Sequence, residues 1–420
     1  MTRVAATCVA LAVGALSVSA VQTPLPSDDA LLQALSGPDW HQRREAIHQL
    51  IEIGPGGEAR VRELLRRDLD REQRKNVEVA QQLIVDNRLF GASSITLHVS
   101  GAAAAEVMAD ISRQCSAPLP ASPADLWKQD RWPKLTLDYD HKPFWDVMDE
   151  LGRQMSFDYL SSESQEVRMT PGASRRDESM SQSGAFLFTA SAYAARRGMS
   201  VDLSVFAEPK VVVLRLIDLK FDKATDDQGN PLLSQSGRGF GRRGFGGPWG
   251  RRIRTGPRQV SAPFQRPADD VTHIAELRGH VTLSVQAGTA RWELSDPLGT
   301  SPVTRNIDGA PVTLDKLVSA GASGYELHVS ISDSRNSAFQ DEIADLLRRG
   351  LRIDDAAGRP LTIVAIDPRQ MSLATDIEVD LSRDAKTGPP AKLIWDIPDQ
   401  TRELLVPFSF KNIPIGDPFN

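Results

Sequence analysis

Residues 95–117 read ITLHVSGAAAAEVMADISRQCSA and residues 135–157 read LTLDYDHKPFWDVMDELGRQMSF; the two stretches align without a gap, forty residues apart. Thr96 and Thr136, Leu97 and Leu137, Val107 and Val147, Met108 and Met148, Arg113 and Arg153, Gln114 and Gln154, and Ser116 and Ser156 are identical pairs. Each copy begins with alternating apolar and polar residues, the pattern of a strand with one buried face, and continues into an apolar stripe at helical spacing. That stripe is Val107, Met108 and Ile111 in the first copy and Val147, Met148 and Leu151 in the second. One half-buried strand and one helix cannot cover their own apolar faces, so the two copies are expected to share a core as a small duplicated α+β module. The continuation FDYLSSESQEVRMT, residues 157–170, predicts a β-hairpin turning around Ser161-Ser162-Glu163.

A strand of the form I-T-L-x-V, a helix carrying V-M and a closing hairpin resemble the secretin and TonB short N-terminal (STN) domain, over residues 91–171. The resemblance implies a non-catalytic periplasmic module that docks other envelope proteins, a secretin or another outer-membrane component among them. The loop at 118–133, with Trp127 and Trp132, is longer than the family's pattern. Upstream, residues 21–90 are read as helical. Pro38-Asp39 opens a helix with Trp40, Ile47, Leu50 and Ile51 on one face, and Gly54-Pro55-Gly56-Gly57 ends it. Runs with Val61, Leu64 and Leu65, and with Val77, Ala80, Leu83 and Ile84, follow. Short amphipathic helices joined by tight turns resemble a HEAT-type helical hairpin. One or two such repeats do not make a self-supporting solenoid, so this piece is expected to cap its neighbour.

The chain opens with MTRVAATCVALAVGALSVSA: Arg3 precedes an uncharged run rich in Ala, Val and Leu, and Val18-Ser19-Ala20 offers small residues for cleavage. Residues 1–20 read as a secretory signal peptide, their apolar run being short for a membrane span; a retained anchor is the alternative. Cleavage there would remove Arg3 and Cys8, take the net charge from −6 to −7 and leave Cys115 as the one cysteine. An exposed lone thiol oxidises or cross-links outside the cytoplasm, and Cys115 ends an apolar helical stripe, so a buried, inert thiol is expected. No later stretch is apolar for long enough to span a membrane, and the mature protein is expected in the periplasm or outside the cell, without a transmembrane segment. At 420 residues, 40% hydrophobic and 25% charged, the chain can bury several cores and is too apolar for wholesale disorder. Its net charge of −6 argues against bulk electrostatic binding of nucleic acid.

Residues 172–184 hold no large apolar residue except Met180 and read as a polar linker. From Ala185 onward, alternation in AFLFTASAY, MSVDLSVF, KVVVLRLIDLKF, HVTLSVQA, YELHVSIS, LTIVAI and LIWDIP predicts β-sandwich structure, interrupted by one helix at 338–349. A D-x-x-G-x-P-L motif occurs at 226–232 and again at 355–361, and Trp292-Glu293-Leu294-Ser295-Asp296 resembles Trp395-Asp396-Ile397-Pro398-Asp399. These landmarks point to two related units, 185–337 and 338–420, with one larger sandwich as the alternative. The first unit would carry the insertion 234–259.

That insertion, SQSGRGFGRRGFGGPWGRRIRTGPRQ, is the candidate binding element. It carries Arg238, Arg242, Arg243, Arg251, Arg252, Arg254 and Arg258 without an acid, and interleaves Phe240, Phe245 and Trp249. Guanidinium groups pair with phosphate or carboxylate through two parallel hydrogen bonds, and aromatics stack on rings, so an anionic polysaccharide, a lipid headgroup or an acidic protein would suit it outside the membrane. A tolerated low-complexity insertion is the plainer reading. The histidines, His98 and His328 among them, form no zinc spacing, and the pairs Asp226-Asp227, Asp269-Asp270 and Asp354-Asp355 stand in turn settings where Asp bonds nearby amides. Trp127, Trp132 and Trp145 are read as core rather than as a sugar platform. No nucleophile elbow, phosphate loop or metal spacing is present, so no catalytic, cofactor or metal residue is assigned. The expected function is non-catalytic binding or scaffolding in the cell envelope. The alternatives are a carbohydrate-acting hydrolase and a polysaccharide-binding protein using β-sandwich loops.

Overall fold

The computed structural model describes residues 27–416, except positions 54, 120, 124, 130 and 300 and segments 162–166, 173–178, 196–197, 234–257, 265–269, 308–309, 322–323, 332–336, 372–373 and 384–385. The expected signal peptide, residues 1–20, lies outside these. Among the described residues the fold is mixed α+β with seven α-helices, 52% strand and 27% helix, so strands set its framework. No helix among the described residues is long and apolar enough to cross a membrane.

Contacts divide the chain into two units, the first ending at Arg88. It contains α1 (Asp28–Ser36), α2 (Trp40–Glu52), α3 (Pro55–Leu64) and α4 (Arg71–Phe90, whose last turn passes into the second unit). Their shared core is Leu31, Leu35, Ala46, Leu50, Val61, Leu64, Val77, Ala80 and Ile84. Caps account for the starts: Ser27 Oγ accepts from the Ala30 amide, and Asp39 Oδ1 from the His41 amide. Ahead of α4, Asp70 and Gln73 cap each other reciprocally. The glycine-proline run does more than end α2, because Pro55 already begins α3, where its missing N–H is no loss. Gly57 is required there, since a Cβ would collide with the Leu50 carbonyl oxygen. Leu83, expected on the apolar face, is exposed.

The second unit begins with β1 (Ser94–Ala102) and α5 (Ala104–Gln114), then β2 (Leu135–Pro143), α6 (Phe144–Met155), and the antiparallel pair β3 (Phe157–Ser161) and β4 (Val167–Pro171). β1 and β2 pair antiparallel with His98 opposite Asp138, two positions that the sequence repeat itself aligns. An antiparallel ladder has a local two-fold at such a pair, and neighbouring contacts occur twice about it. The Gly101 N–H donates to Thr136 Oγ1 and the His141 N–H to Thr96 Oγ1, both at 3.2 Å. Positions forty apart also share positive φ: 65° at Gly101 and 50° at His141, 54° at Ser116 and 53° at Ser156. Ile95, Leu97, Val107, Met108 and Ile111 are buried together with Leu135, Leu137, Val147, Met148 and Leu151.

This core also takes in Leu187 and Phe206 from the following strands. The expected linker at 172–184 therefore does not set the module apart. Part of it, β5 (Ser179–Ser183), pairs antiparallel with β6 (Phe186–Ala195). A polar stretch suffices there because ladder bonds are made by main chain. β6 then pairs with β7 (Gly198–Ala207). One face of that hairpin meets the α+β module, while Phe188, Ala190, Val201 and Leu203 face the next core.

The rest of the chain comprises β8 (Val213–Asp226), β9 (Arg258–Phe264), β10 (His273–Ser295), β11 (Val303–Ile307), β12 (Ala310–Ser319), β13 (Gly324–Ile331), α7 (Ser337–Gly350), β14 (Leu351–Asp355), β15 (Thr362–Met371), β16 (Ala374–Ser382) and β17 (Pro390–Gly416). An eight-stranded sheet runs β8-β10-β17-β6-β7-β9, with β14 on β17 and β5 on β6; a five-stranded sheet runs β11-β12-β13-β16-β15. Two cores result. Phe188, Phe221, Phe264, Phe408 and Phe410 fill the first, and Trp292, Trp395, Ile343, Leu347 and the inner faces of β12, β13 and β16 fill the second.

The division expected at 337/338 is not how the chain is distributed. β10 and β17 pair from His273 opposite Pro414 to Ser295 opposite Lys392, and each supplies residues to both cores. Strands of 23 and 27 residues rise at about 3.3 Å per residue, far enough to serve two cores in succession. Gly288 and Pro398 mark a register shift in this ribbon instead of an end. The tryptophan landmarks are partners as well: Trp292 lies opposite Trp395 in the ladder, with ring centroids 5.7 Å apart and planes 18° from parallel. The D-x-x-G-x-P-L motif does recur as structure. Asp226 and Asp355 donate their amides to the Asn230 and Arg359 carbonyls, and Leu232 and Leu361 donate back to Ala224 and Ile353.

Candidate functional site

Most of the arginine-rich insertion, Arg238, Phe240, Arg242, Arg243, Phe245, Trp249, Arg251, Arg252 and Arg254, lies outside the described residues. Arg258 opens β9, its backbone opposite Val205. The insertion leaves from the turn after β8, which the Asp226 carboxylate organises by accepting from the Gln228 and Asn230 amides at 3.0 and 2.7 Å.

Asp226, Asp227 and Asp355 are spent on turn contacts. Asp355 accepts amides from Ala357, Arg359 and Gly388 at 2.8–2.9 Å and also pairs with the Arg359 guanidinium; the Gly388 and Arg359 amides hold its carboxyl well below the usual carboxylate range. Asp227 accepts from the amide and hydroxyl of Thr272, each at 3.0 Å, and its pKa is lowered chiefly by that amide. Buried Asp354 pairs one oxygen with Arg352, and Asp270 accepts from Gln228. Asp269 lies outside the described residues.

His98 is exposed and 2.6 Å from Asp138. His328 is 21% exposed, between Asp376 and Glu326. Beside it Glu326, Glu378 and Asp380 bring carboxylate oxygens within 4.8 Å of one another, a convergence set by the β13–β16 register, with Glu326 opposite Asp380. Trp145 is a buried core residue that donates to the Ala185 carbonyl, while Trp127 is partly buried and packs edge-on against Phe157 at the margin of the same core. Cys115 is buried, its thiol pushed up to about 11 by burial and, secondarily, by the negative charge of Glu208.

Glu208 had no signature in the sequence. It is fully buried, and its carboxylate accepts from the Ser93 amide at 2.9 Å and the Ser93 hydroxyl at 2.6 Å. Lys210 Nζ lies 3.5 Å from it and donates to the Gly91 carbonyl. Glu208 donates its own amide to Ala185, the carbonyl that also receives Trp145, and the Phe144 amide donates to Ser93. This clasp fastens the α+β module onto the β6–β7 hairpin.

The β1–β2 ribbon offers an accessible surface. Among the described residues its two strands pair only with each other. Their outer edges differ. On β1, Gln114 bridges the main chain of Thr96, accepting from its N–H at 2.9 Å and donating to its carbonyl at 2.8 Å. On β2, the repeat-related Gln154 turns instead to Glu150, and the main chain of Thr136 has no such bridge among the described residues. At Thr96 the outer main chain of β1 is thus satisfied by a side chain, whereas at the repeat-related Thr136 that of β2 is left to solvent. Compared with known proteins, the chain matches no family model, no curated protein and no solved structure.

Proposed function

We propose that this chain is an exported, non-catalytic docking protein of the cell envelope, whose residues 91–171 form an STN-like module that takes a strand from a partner protein along β2. In sequence the module follows a HEAT-like helical region and precedes β-sandwich units. The unequal edges of the ribbon carry this reading: Gln114 blocks β1 at Thr96, whereas outward main-chain groups of β2 at Thr136 and Asp138 are positioned to accept a strand. Asp226, Asp227 and Asp355 support the same reading against a hydrolase, because turn amides, and for Asp355 a guanidinium, already occupy their carboxylates. Arg238, Arg242, Arg243, Arg251, Arg252, Arg254 and Arg258 would add attraction to an anionic partner or polysaccharide.

The test is retention of partner protein from an envelope fraction by the full chain and two variants. Asp138→Pro removes the outward N–H of an edge position, and proline is tolerated at edges. Asp138→Ala keeps that N–H while losing the same carboxylate. Capture by the parent and Asp138→Ala, with loss in Asp138→Pro, is the expected result. Equal capture by all three, or none by the parent chain, overturns strand addition.

A further inference from the structure

At the register shift of the long ribbon, β10, β17 and the end of β11 enclose a half-open cavity of about 470 Å³, lined by Arg305, Asn306, Ile397, Pro398, Asp399 and Thr401, with Ala290 beneath. Its size lies within the usual range of small-molecule clefts, about 300–1,000 Å³. Four polar side chains converge on it: a guanidinium, an amide, a carboxylate and a hydroxyl. None of the four has a hydrogen-bond or ion-pair partner among the described residues, although the neighbouring Arg291 and Asp396 pair fully with each other.

Two features hold the lining in place without using up its hydrogen bonds. The Arg305 guanidinium carbon lies 5.2 Å over the centroid of buried Trp292, which is itself stacked on Trp395. A cation held by an aromatic face keeps its N–H edge available for a ligand. Opposite, Asp399 packs against the backbone at Gly288, where a Cβ would collide with its Oδ1. A side chain at 288 would therefore displace this carboxylate.

We propose that this cavity binds a sugar acid, a uronate residue of an anionic saccharide. The planar fork of Arg305 suits a carboxylate, and Asn306 can serve the same end of the ligand. Asp399 can accept from ring hydroxyls, which sets a hydroxylated acid apart from a carboxylate that has none. Ile397 and Pro398 provide an apolar floor for a pyranose ring. The site is remote in sequence from the β2 edge and goes beyond the docking reading; Asp138→Pro leaves it unchanged, so the two proposals fail separately.

Calorimetric titration of the full chain with trigalacturonate, galactotriose and glutamate tests it. Trigalacturonate is expected to bind saturably, galactotriose and glutamate at least tenfold more weakly. Arg305→Ala should weaken trigalacturonate binding roughly tenfold or more, the ordinary effect of losing a charge-assisted pair. Gly288→Ala should also weaken it although no ligand-facing group is removed, with circular dichroism confirming the fold of both variants. No binding of trigalacturonate at millimolar concentration, parent-like binding in folded Arg305→Ala, or tighter binding of glutamate overturns the assignment.

Discussion

Replacing Glu208 by alanine tests the clasp between the α+β module and the β6–β7 hairpin. The carboxylate receives two donors from Ser93, at 2.9 and 2.6 Å, and Ser93 is only 7% exposed, so truncation orphans a buried N–H and a buried O–H. Each orphan costs about 1–3 kcal/mol, and relief of the buried charge returns part of it, for a net loss of about 2–4 kcal/mol. Glu208→Gln keeps an acceptor oxygen and should lose less. The pH dependence has a definite sign. Burial raises the Glu208 pKa above its ordinary 4.5, so the folded state carries the cost of a buried charge once that carboxyl ionises. Relative to Glu208→Gln, the parent chain should gain stability as pH falls from neutrality toward about 4.5. Urea unfolding at pH 7.5 and pH 5 measures this difference, and hydrogen exchange at the Ser93 amide reports opening of the clasp itself. A Glu208→Ala midpoint matching the parent, with unchanged Ser93 protection, would refute the reasoning.

Two further outcomes follow from the buried turns and the second core. Asp355→Ala frees three amides at once and should lower the thermal midpoint by several degrees, at about 2–4 °C for each kcal/mol lost. Because the Asp355 pKa is depressed, its contribution is present above the ordinary 3.8 and is lost as pH falls below it, so the variant and the parent should converge in acid. Trp395→Ala removes a buried ring stacked on Trp292 and an indole N–H donating to the Leu346 carbonyl at 3.1 Å. It should cost about 3–5 kcal/mol in chemical denaturation and alter the near-ultraviolet circular dichroism. A loss under about 1 kcal/mol would show that the two long strands do not depend on this stack.

Short-range features were legible in the chain. Helix and strand periods in residues 95–117 and 135–157 depend on which side chains lie two, three or four positions apart, and burial of Ile95, Leu97, Val107 and Met108 follows that period. The D-x-x-G-x-P-L turns were readable for the same reason, since an aspartate bonding amides two and four residues on needs nothing distant. The missed features join residues far apart in sequence. Ser93 and Glu208 are 115 positions apart, and nothing in Ala-Glu-Pro-Lys identifies an acid that will be buried.

Sequence by itself determined the repeat, its alternating strands and striped helices, and the aspartate turns, because period and turn chemistry act within a few bonds of each residue. Tertiary structure alone decided that β10 and β17 run through two cores, that Gln114 covers the β1 main chain at Thr96 while Gln154 leaves that of Thr136 open, and that Arg305 and Asp399 face one cavity. Alternation reads the same in one long strand as in two short ones. Only the burial gained by pairing distant segments selects the register, and with it the surfaces left for a partner.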